Sequence, residues 1–376
     1  MEAYLDNAAT TRMKPEVISA MTEALREVYG NPGSIHKIGR DAEDVLEMAR
    51  KKIASTINAL GEEIIFTSGA SEGNNHIIKS LIKEGAHFIT TKIEHPSVLK
   101  VMEYAQTQGV KVDFLSVDEC GQIDLKDLED KVNKNTALVS IMMVNNETGA
   151  FHDPEAISKI IRRKSSRAKF HVDAVQGYRK FKIDVRKMDI DFLTVSAHKI
   201  HGPKGCGFIY IRKGLKPLSL LIGGEQERGY RAGTVNVPSI VGFSQAATIT
   251  ESEMQENRNH VLLLKKLMTD ELGSIEGLKV NSDAMKSSPY ILSVSIPGMR
   301  GEVLLHYLSD KGVYVSTGSA CTSKDTRDSH VLLALGLKDK EIKGSIRLSF
   351  EEKTTAEEVK YAAETIKEAV KFLRRK

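Results

Sequence analysis

The segment SAHKIHGPKG, residues 196–205, places Lys199 between two histidines directly after an apolar run. Three kinds of chemistry use such residues: a loop that binds phosphate, a metal site with His198 and His201 as ligands, and a lysine that holds a cofactor covalently. A metal site needs further ligands nearby, and the nearest candidate, Cys206, lies in GCGF, which has the pattern of a strand. The segment by itself leaves the three possibilities open.

The segment FTSGASEGNN offers a place for a phosphate group. Its apolar residues predict a strand that ends at Phe66 and a helix that begins at about Ala70. The N–H groups of Gly69 and Ala70 and the hydroxyl of Ser71 would then face a ligand at the start of the helix. A capped turn, in which Ser71 only starts the helix, explains the same residues equally well. The sequence contains neither the Walker pattern nor the G-x-G-x-x-G pattern, so the phosphate need not belong to a nucleotide.

Asp173 and Gln176 follow another apolar run, in FHVDAVQG. A buried carboxylate requires a cationic or hydrogen-bonding partner, such as a protonated ring nitrogen, although a turn acid that faces water is an alternative. Lys199 follows the next predicted strand. A phosphate-binding turn, a carboxylate and a lysine at successive strand ends are what pyridoxal 5'-phosphate requires, because the acid keeps its ring nitrogen protonated and the lysine attaches it.

Four more residues have types suited to catalysis or substrate binding. His95, in TTKIEHPSV, follows a predicted strand and is a candidate to stack on the ring and carry protons, although a lone histidine is more often structural. Asn146, in VNNETG, could bond the cofactor's ring oxygen or the substrate. Arg347, in GSIRLSF, could grip a carboxylate, with a surface charge pair as the alternative. Cys321 lies in VSTGSACTSKDTRDSH, which has almost no apolar side chains and indicates an exposed loop with a reactive thiol.

The elements that position these residues form an alternating pattern. From residue 62 onward, short apolar runs alternate with amphipathic segments, which predicts a mostly parallel sheet covered by helices. Ligands of such sheets bind at the carboxyl ends of the strands. We predict a large α/β domain over residues 15–255 and a small α+β domain from residues 1–14 and 256–376. The small domain would carry the cysteine loop at about residues 316–330.

The composition is that of a soluble globular protein without a membrane span. Of 376 residues, 41% are hydrophobic and 28% are charged. The longest apolar run, ALVSIMMV, is far shorter than the roughly 20 residues that cross a bilayer. The net charge of +4 comes from lysines and acids that alternate along the helices, so no nucleic-acid binding is expected. Three cysteines without C-x-x-C spacing favour a reducing compartment, and we expect a cytoplasmic location.

Ten collinear segments resemble the cysteine desulfurases of the NifS/IscS type, which are fold-type-I, class-V-aminotransferase-like pyridoxal phosphate enzymes. The segments are YLDNAATT, GNPGSIH, IIFTSGASEGNN, TKIEHPSVL, VSIMMVNNETG, HVDAVQ, SAHKIHGPKG, GGEQERGYRAGT, STGSACTS and SIRLSF. The resemblance runs nearly from end to end. It implies a large domain with a mostly parallel seven-stranded sheet between helices and a smaller α+β domain.

The resemblance also implies a role for each candidate residue. Lys199 would hold the cofactor covalently, Asp173 would face the pyridine nitrogen, and Gln176 would bond the ring oxygen. His95 would stack over the ring as an acid and base. The implied phosphate ligands are Ala70, Ser71, Ser196 and His198, together with Thr234, which would reach the cofactor of the neighbouring subunit in a homodimer. The implied substrate ligands are Arg347 and Asn146, and the implied nucleophile is Cys321.

The implied reaction removes sulfur from L-cysteine, giving L-alanine and a persulfide on Cys321. An acceptor such as an iron–sulfur scaffold protein would then receive the sulfur, for cluster assembly or other sulfur trafficking. No resident metal is implied, although Cys321 could ligate an iron–sulfur cluster transiently. A selenocysteine lyase or another fold-type-I enzyme would share the lysine, acid and phosphate turn without needing Cys321. A non-catalytic sulfur carrier with this fold is a third possibility.

Overall fold

A computed structural model describes residues 1–317 and 328–374 of the chain. The predicted nucleophile, Cys321, lies outside the described residues. The strands of the described part are β1 (Ala3–Tyr4), β2 (Ile64–Thr67), β3 (His87–Thr91), β4 (Lys111–Leu115), β5 (Thr136–Ser140), β6 (Lys169–Asp173), β7 (Phe192–Ser196), β8 (Gly207–Ile211), β9 (Lys279–Val280), β10 (Ile291–Ser295), β11 (Val313–Tyr314) and β12 (Ser345–Ser349).

The helices cover the faces of these strands and connect them. They are α1 (Pro15–Glu27), α2 (Lys37–Ser55), α3 (Ala70–Ser80), α4 (Pro96–Thr107), α5 (Leu125–Lys131), α6 (Pro154–Lys164), α7 (Val237–Leu272), α8 (Gly301–Asp310), α9 (His330–Ala334), α10 (Asp339–Lys343) and α11 (Ala356–Leu373). Among the described residues, no helix combines the length and the apolar character that a membrane span requires.

The central sheet has seven strands in the order β2-β8-β7-β6-β5-β3-β4. Strand β8 is antiparallel to both of its neighbours, and the remaining pairs are parallel. Every residue of β2, β3, β7 and β8 is buried, because helices pack on both faces and leave no side of these strands in water. The predicted seven-stranded, mostly parallel sheet is therefore confirmed.

Two small sheets contain the first strand and the last four strands of the described chain. Strands β12, β10 and β9 form an antiparallel sheet, and β1 pairs in parallel with β11 through Ala3 and Val313. Helix α7 is continuous through residue 255, packs on α1 and α2, and also contacts α11. One helix thus runs without a break across residue 255, and the domain boundaries at residues 15 and 255 stay predictions.

Two glycines allow the start of α3 to approach the strands closely. Gly69, which precedes α3, has a φ of 148°, and a side chain at Gly207 would place its Cβ 2.7 Å from the Gly69 Cα. The same Cβ would lie 2.4 Å from the carbonyl oxygen of Val195 in β7. These backbones can meet only where no side chain intervenes. The first turn of α3 consequently lies against the carboxyl end of β7.

A buried ion pair attaches the turn at Gln226–Gly229 to the central sheet. Arg50, only 2% exposed, donates from its two terminal nitrogens to the two carboxylate oxygens of Glu227, at 2.8 Å each. Glu227 also accepts from the backbone N–H of Phe66 at 2.7 Å, and Arg50 donates to the carbonyl of Ile64 at 2.8 Å. Each ionised group therefore depends on the other for its stability in the interior.

Replacing this arginine should destabilise the protein strongly, because it leaves a buried carboxylate without its cation. We expect Arg50→Met to lower the free energy of unfolding by about 3 to 5 kcal/mol, as measured by urea denaturation at neutral pH. The exposed pair of Lys100 and Glu103 on α4 provides the control, since Lys100→Met should cost less than about 1 kcal/mol. Equal denaturation midpoints for the two variants would contradict this account.

Candidate active site

A cavity of about 410 Å³ lies at the carboxyl ends of the central strands. Loops that follow β3, β5, β6 and β7 form its walls, and β12 of the small antiparallel sheet contributes one side chain. The predicted site residues that line it are Ala70, Ser71, His95, Asn146, Asp173, Gln176, Ser196, His198, Lys199 and Arg347. The structure thus brings together all the predicted residues except Thr234 and the undescribed Cys321.

Asp173 is a buried carboxylate at the end of β6, and it is only 5% exposed. Its Oδ2 accepts from the side-chain amide of Asn74 at 2.8 Å, and its Oδ1 accepts from the backbone N–H of Val175 at 3.0 Å. Both of these donors are neutral. Hydrogen bonds of this kind favour the ionised form of a carboxyl group, and a cation in the cavity would complete the neutralisation of its charge.

Lys199 lies in a 3₁₀ turn, Ala197–Lys199, that directly follows β7. Its Nζ donates to the carbonyl oxygens of Ala8 at 2.5 Å and Ala9 at 2.7 Å. The side-chain amide of Gln176 donates to the same Ala8 carbonyl at 2.9 Å. The N-terminal segment therefore supplies the acceptors that hold this lysine and glutamine beside each other.

A second buried lysine, Lys180, contacts Gln176. Lys180 donates from Nζ to Oε1 of Gln176 at 3.2 Å and lies 5.3 Å from the centre of the Tyr290 ring. Burial lowers the pKa of Lys180 to about 7, and the like charge of Lys199 lowers this pKa further. Because Lys180 donates to Oε1, the amide nitrogen of Gln176 is the atom directed to Ala8.

His95 is the N-cap residue of α4. Its Nδ1 accepts from the backbone N–H of Ser97 at 3.1 Å and lies 2.8 Å from the Ser97 Oγ. A backbone N–H can only donate, so the neutral ring carries its proton on Nε2. Burial lowers the pKa of His95, the charge of Asp173 opposes this shift, and that of Lys199 adds to it.

The start of α3 forms the polar end of the site. A neighbouring cavity of about 440 Å³ shares Ala70, Ser71, Ser196 and His198 with the first. The Ser196 Oγ accepts from the Ala70 N–H at 2.8 Å, which fixes this hydroxyl at the N-terminus of α3. Burial lowers the pKa of His198 to about 4, aided by the charges of Lys199 and Lys204, so the ring is neutral at physiological pH. Small polar groups and a helix N-terminus suit a phosphate.

Arg347 in β12 is buried and not a surface residue, which removes the alternative of a solvent-exposed charge pair. It donates to Asp6 Oδ1 at 2.7 Å and to the backbone carbonyl of Asn146 at 2.8 Å. Its Nε is buried without a hydrogen-bond partner among the described residues. The guanidinium is therefore held rigidly at the cavity wall with donor capacity left over.

The sequence reasoning missed two lining residues with titratable side chains. Glu147 is 4% exposed, accepts from the Ser329 hydroxyl at 2.5 Å, and has its pKa raised to about 7 by burial. His330 bonds through Nε2 to the Glu94 carbonyl at 2.9 Å. Glu147 directly follows Asn146 in VNNETG, so the argument from strand ends could have found it. His330 begins a short amphipathic helix, and its sequence carries no comparable signal.

Thr234 lies elsewhere, beside a cavity that Cys206, Arg231 and Asn236 also line. Its contact with a neighbouring subunit's cofactor stays a prediction. Cys206 is 3% exposed, and burial raises the pKa of its thiol to about 12, so it is an unreactive interior residue.

The alternative of a metal site at His198 and His201 gains no support from the geometry. Among residues 1–317 and 328–374, the side chains close enough to share a metal ion are those of His201, Glu351 and Glu352. His198 and Cys206 do not belong to this group. Lys14 lies 3.0 Å from Glu352 Oε1, so a cation of the chain already neutralises it.

The chain is similar to known proteins over nearly its whole length. The aminotransferase class-V family model matches residues 3–362. A cysteine desulfurase of Trichormus azollae is 42% identical over 375 residues, which cover 99% of this chain and 93% of the relative. The chain belongs to the aminotransferase class-V family. Its curated relatives also include the cysteine desulfurase IscS of Methanosarcina thermophila, which is 40% identical over 99% of this chain and 92% of the relative.

Solved structures of this family share the fold described above. A NifS-like protein superimposes with a TM-score of 0.94 at 40% identity, over 99% of this chain and all of that one. The structure of SspA in complex with cysteine gives a TM-score of 0.82 at 32% identity, over 94% of this chain and 100% of that one. These matches confirm the predicted fold type.

Enzymes of this family depend on pyridoxal 5'-phosphate, and the cavity fits that group. The buried Asp173 carboxylate, held by neutral donors, suits a protonated ring nitrogen. The Lys199 amine lies in the same cavity, and the α3 N-terminus with Ser196 suits the phosphate. The predicted cofactor is confirmed, whereas the individual residue roles stay predictions.

Glu94, which precedes His95, is a buried acid beneath the site. Its Oε1 accepts from the Thr91 hydroxyl at 2.9 Å and the Met142 N–H at 3.0 Å, and its Oε2 has no partner among the described residues. Burial raises the pKa of Glu94 from 4.5 to about 8, and the charge of Asp173 contributes to the increase. The folded protein therefore holds a proton that the unfolded chain releases above about pH 4.5.

This proton should make stability depend on pH. Because the folded pKa is the higher one, stability falls as pH rises from about 4.5 to about 8 and then levels off. We expect Glu94→Gln, which keeps the neutral form, to remove this fall. Between pH 5 and 8 the wild type should lose about 3 to 4 kcal/mol relative to the variant.

Urea denaturation of the cofactor-loaded proteins at several pH values measures this difference. Glu103→Gln, at an exposed position on α4, is the control and should follow the wild type throughout. If wild type and Glu94→Gln changed in parallel over this range, the buried proton assigned to Glu94 would be wrong.

Proposed function

We propose that this protein is a cysteine desulfurase that uses pyridoxal 5'-phosphate to convert L-cysteine into L-alanine and transfers the sulfur to Cys321. One observation carries the proposal: a single cavity brings together Lys199, Asp173, His95 and Arg347. The chain that forms this cavity is 42% identical to a cysteine desulfurase.

Asp173, Gln176 and the start of α3 would hold the cofactor. The Asp173 carboxylate would retain a proton on the ring nitrogen, and the Gln176 amide would bond the ring oxygen. The phosphate would lie against Ala70, Ser71, Ser196 and His198. When bound, the cofactor supplies a conjugated ring that withdraws electrons from the α-carbon of the substrate.

Lys199 would attach the cofactor and then act as a base. Its contacts with Ala8 and Ala9 orient the amine toward the cavity that Asp173 and His95 also line. An amine acts as a base only in its neutral form, after it has lost its proton. Lys199 Nζ would take the proton from the α-carbon.

Arg347 and Asn146 would orient the substrate through its carboxylate. The Arg347 guanidinium lines the cavity and is held in place by Asp6 and the Asn146 carbonyl. His95 would place its ring against the cofactor and present Nε2–H, because Nδ1 is already bonded to Ser97. That N–H can donate to a negative charge that develops on the cofactor or on the substrate sulfur.

Cys321 would complete the reaction as the nucleophile. Its thiolate would attack the substrate sulfur, so that a new sulfur–sulfur bond forms as the carbon–sulfur bond breaks. The carbon keeps the bonding electrons and takes up a proton, which gives alanine and a persulfide on Cys321. The persulfide sulfur then passes to an acceptor.

We further propose a cytoplasmic homodimer in which Thr234 contributes to the cofactor site of the neighbouring subunit. An iron–sulfur scaffold protein is the proposed sulfur acceptor, because relatives carry the name IscS. Residues 15–255 would form the cofactor-binding domain, and residues 1–14 and 256–376 the smaller domain with the cysteine loop.

Mass spectrometry after incubation with L-cysteine, without reductant, tests the reaction. We expect the peptide containing Cys321 to gain one sulfur atom for each alanine released. Lys199→Ala should abolish both products, lowering the rate by at least about 10³-fold. Cys321→Ala should lose the added sulfur and the alanine together, whereas Cys206→Ala should retain both.

The other outcomes separate the alternatives. Alanine formation at full rate by Cys321→Ala would indicate a selenocysteine lyase or another enzyme of this fold. Sulfur binding without any alanine would indicate a non-catalytic carrier. Either result would refute the proposed reaction.

A further inference from the structure

Asn74 lies on α3, is fully buried at 0% exposure, and contacts both sides of the site. Its Nδ2 donates to Asp173 Oδ2 at 2.8 Å and to the Ser97 Oγ at 2.8 Å. Its Oδ1 accepts from the Thr194 hydroxyl at 2.6 Å. One amide group thus makes three hydrogen bonds to three different elements.

The direction of each hydrogen bond is fixed by chemistry. A carboxylate only accepts, so one N–H of Asn74 points at Asp173, and the other points at Ser97. A flipped amide would place Oδ1 against the Asp173 carboxylate, so the orientation with Nδ2 toward Asp173 is fixed, and the Thr194 hydroxyl donates to Oδ1. Since Ser97 Oγ accepts from Asn74, its own proton is free to point at His95 Nδ1, which lies 2.8 Å away.

Close packing of α3 against β7 makes this arrangement possible. The residue before Asn74 is Gly73, where a Cβ would lie 2.9 Å from the Cγ2 of Thr194 and 3.2 Å from the Cγ1 of Ile209. A larger residue would push the helix away from the strand. The short asparagine side chain can therefore span from α3 to Asp173 in β6 and to Ser97 in α4.

We propose that Asn74 is a positioning residue that joins Asp173 and His95 into one hydrogen-bonded unit. The proposal rests on the proposed function, in which these two residues act on opposite parts of the cofactor. Through its bond to Asp173 Oδ2, the Asp173 arm, Asn74 holds the Asp173 carboxylate in place at the cavity. Through the other it orients the Ser97 hydroxyl, which holds His95 in the tautomer with its proton on Nε2.

The two arms, which are the bond of Asn74 to Asp173 and its link through Ser97 to His95, can be tested by separate substitutions. Asn74→Leu removes both arms and keeps the number of side-chain heavy atoms. Ser97→Ala removes the bonds of the Ser97 Oγ to Asn74 and to His95 Nδ1 and keeps the bond from Asn74 to Asp173. Asn75→Leu is the matched control, because the neighbouring Asn75 is partly exposed and its side-chain amide donates to the Ser71 carbonyl in its own helix.

Cofactor affinity reports on the Asp173 arm. We expect Asn74→Leu to raise the dissociation constant of pyridoxal 5'-phosphate about 10-fold or more, since a hydrogen bond to a charged group is lost. Ser97→Ala and Asn75→Leu should stay within about twofold of wild type. In an Asp173→Asn background, Asn74→Leu should have little further effect, because the carboxylate that Asn74 supports is gone.

The pH profile of kcat/KM reports on the His95 arm. Donors to Nδ1 favour the neutral ring, so removing one raises the His95 pKa. The acidic limb should therefore move to higher pH by about half a unit in Ser97→Ala. It should move in the same direction in Asn74→Leu, because the Ser97 hydroxyl loses the bond that orients it toward His95. Asn75→Leu should leave the limb unchanged.

If Asn74 had a purely structural role, its replacement would not change cofactor affinity and the acidic limb in the way predicted above. Thermal unfolding of each variant checks that the proteins are folded. The proposal fails if Asn74→Leu binds the cofactor within twofold of wild type, or if its effect is equally large in the Asp173→Asn background. It also fails if the acidic limb does not move. If wild type bound the cofactor but released no alanine from L-cysteine, only the proposed function would fail, because the affinity comparison needs no turnover.

Discussion

A carboxylate removed from water at the end of a buried strand is the constraint around which this site is built. Asp173 is 5% exposed, and a buried carboxylate requires hydrogen-bond donors and a cationic partner to offset its removal from water. Asn74 and the Val175 N–H provide the donors. The protonated ring of the cofactor would provide the cation, which explains why an acid is stable at this position.

The same constraint explains the tight geometry around α3. A helix that supplies Asn74 must approach β6 and β7 closely, and glycines at 69, 73 and 207 leave room for that approach. The close approach also brings the N-terminus of α3 to Ser196, where a phosphate can bind. One packing arrangement thus serves the ring nitrogen and the phosphate at once.

The other side of the cavity depends on residues that are distant in sequence. The carbonyls of Ala8 and Ala9 hold Lys199, and Asp6 holds Arg347, which comes from β12 near the other end of the chain. The N-terminal strand β1 pairs with β11, and this pairing keeps the N-terminal segment in place. The two small sheets therefore complete the site that the central sheet begins.

The sequence predicted the parts of this site that local patterns encode. Apolar runs followed by polar residues located Lys199, Asp173 and His95 at strand ends, and the same alternation predicted the parallel sheet. Asn74 could not be found in this way, because the pattern GNN does not distinguish it from Asn75. Only the packing of α3 against β6 and α4 makes one of the two asparagines fully buried and leaves the other partly exposed.

Long-range contacts account for the other parts of the site that the sequence did not predict. The pairing of Arg347 with Asp6 and of Glu147 with Ser329 joins positions far apart in the chain, and no periodicity in the sequence records such pairs. The burial that raises the pKa of Glu94 likewise results from the layers packed around it, and one of its hydrogen-bond donors, Met142, lies far away in the sequence.

The central claim is that Lys199 attaches the cofactor in the cavity that contains Asp173. Borohydride reduction of the cofactor-loaded protein, followed by proteolysis and peptide mass spectrometry, tests it most directly. The account predicts a phosphopyridoxyl group on Lys199, and none on the nearby Lys180 or Lys204. Labelling of either of those lysines in place of Lys199, or a protein that binds the cofactor without any labelled lysine, would contradict it.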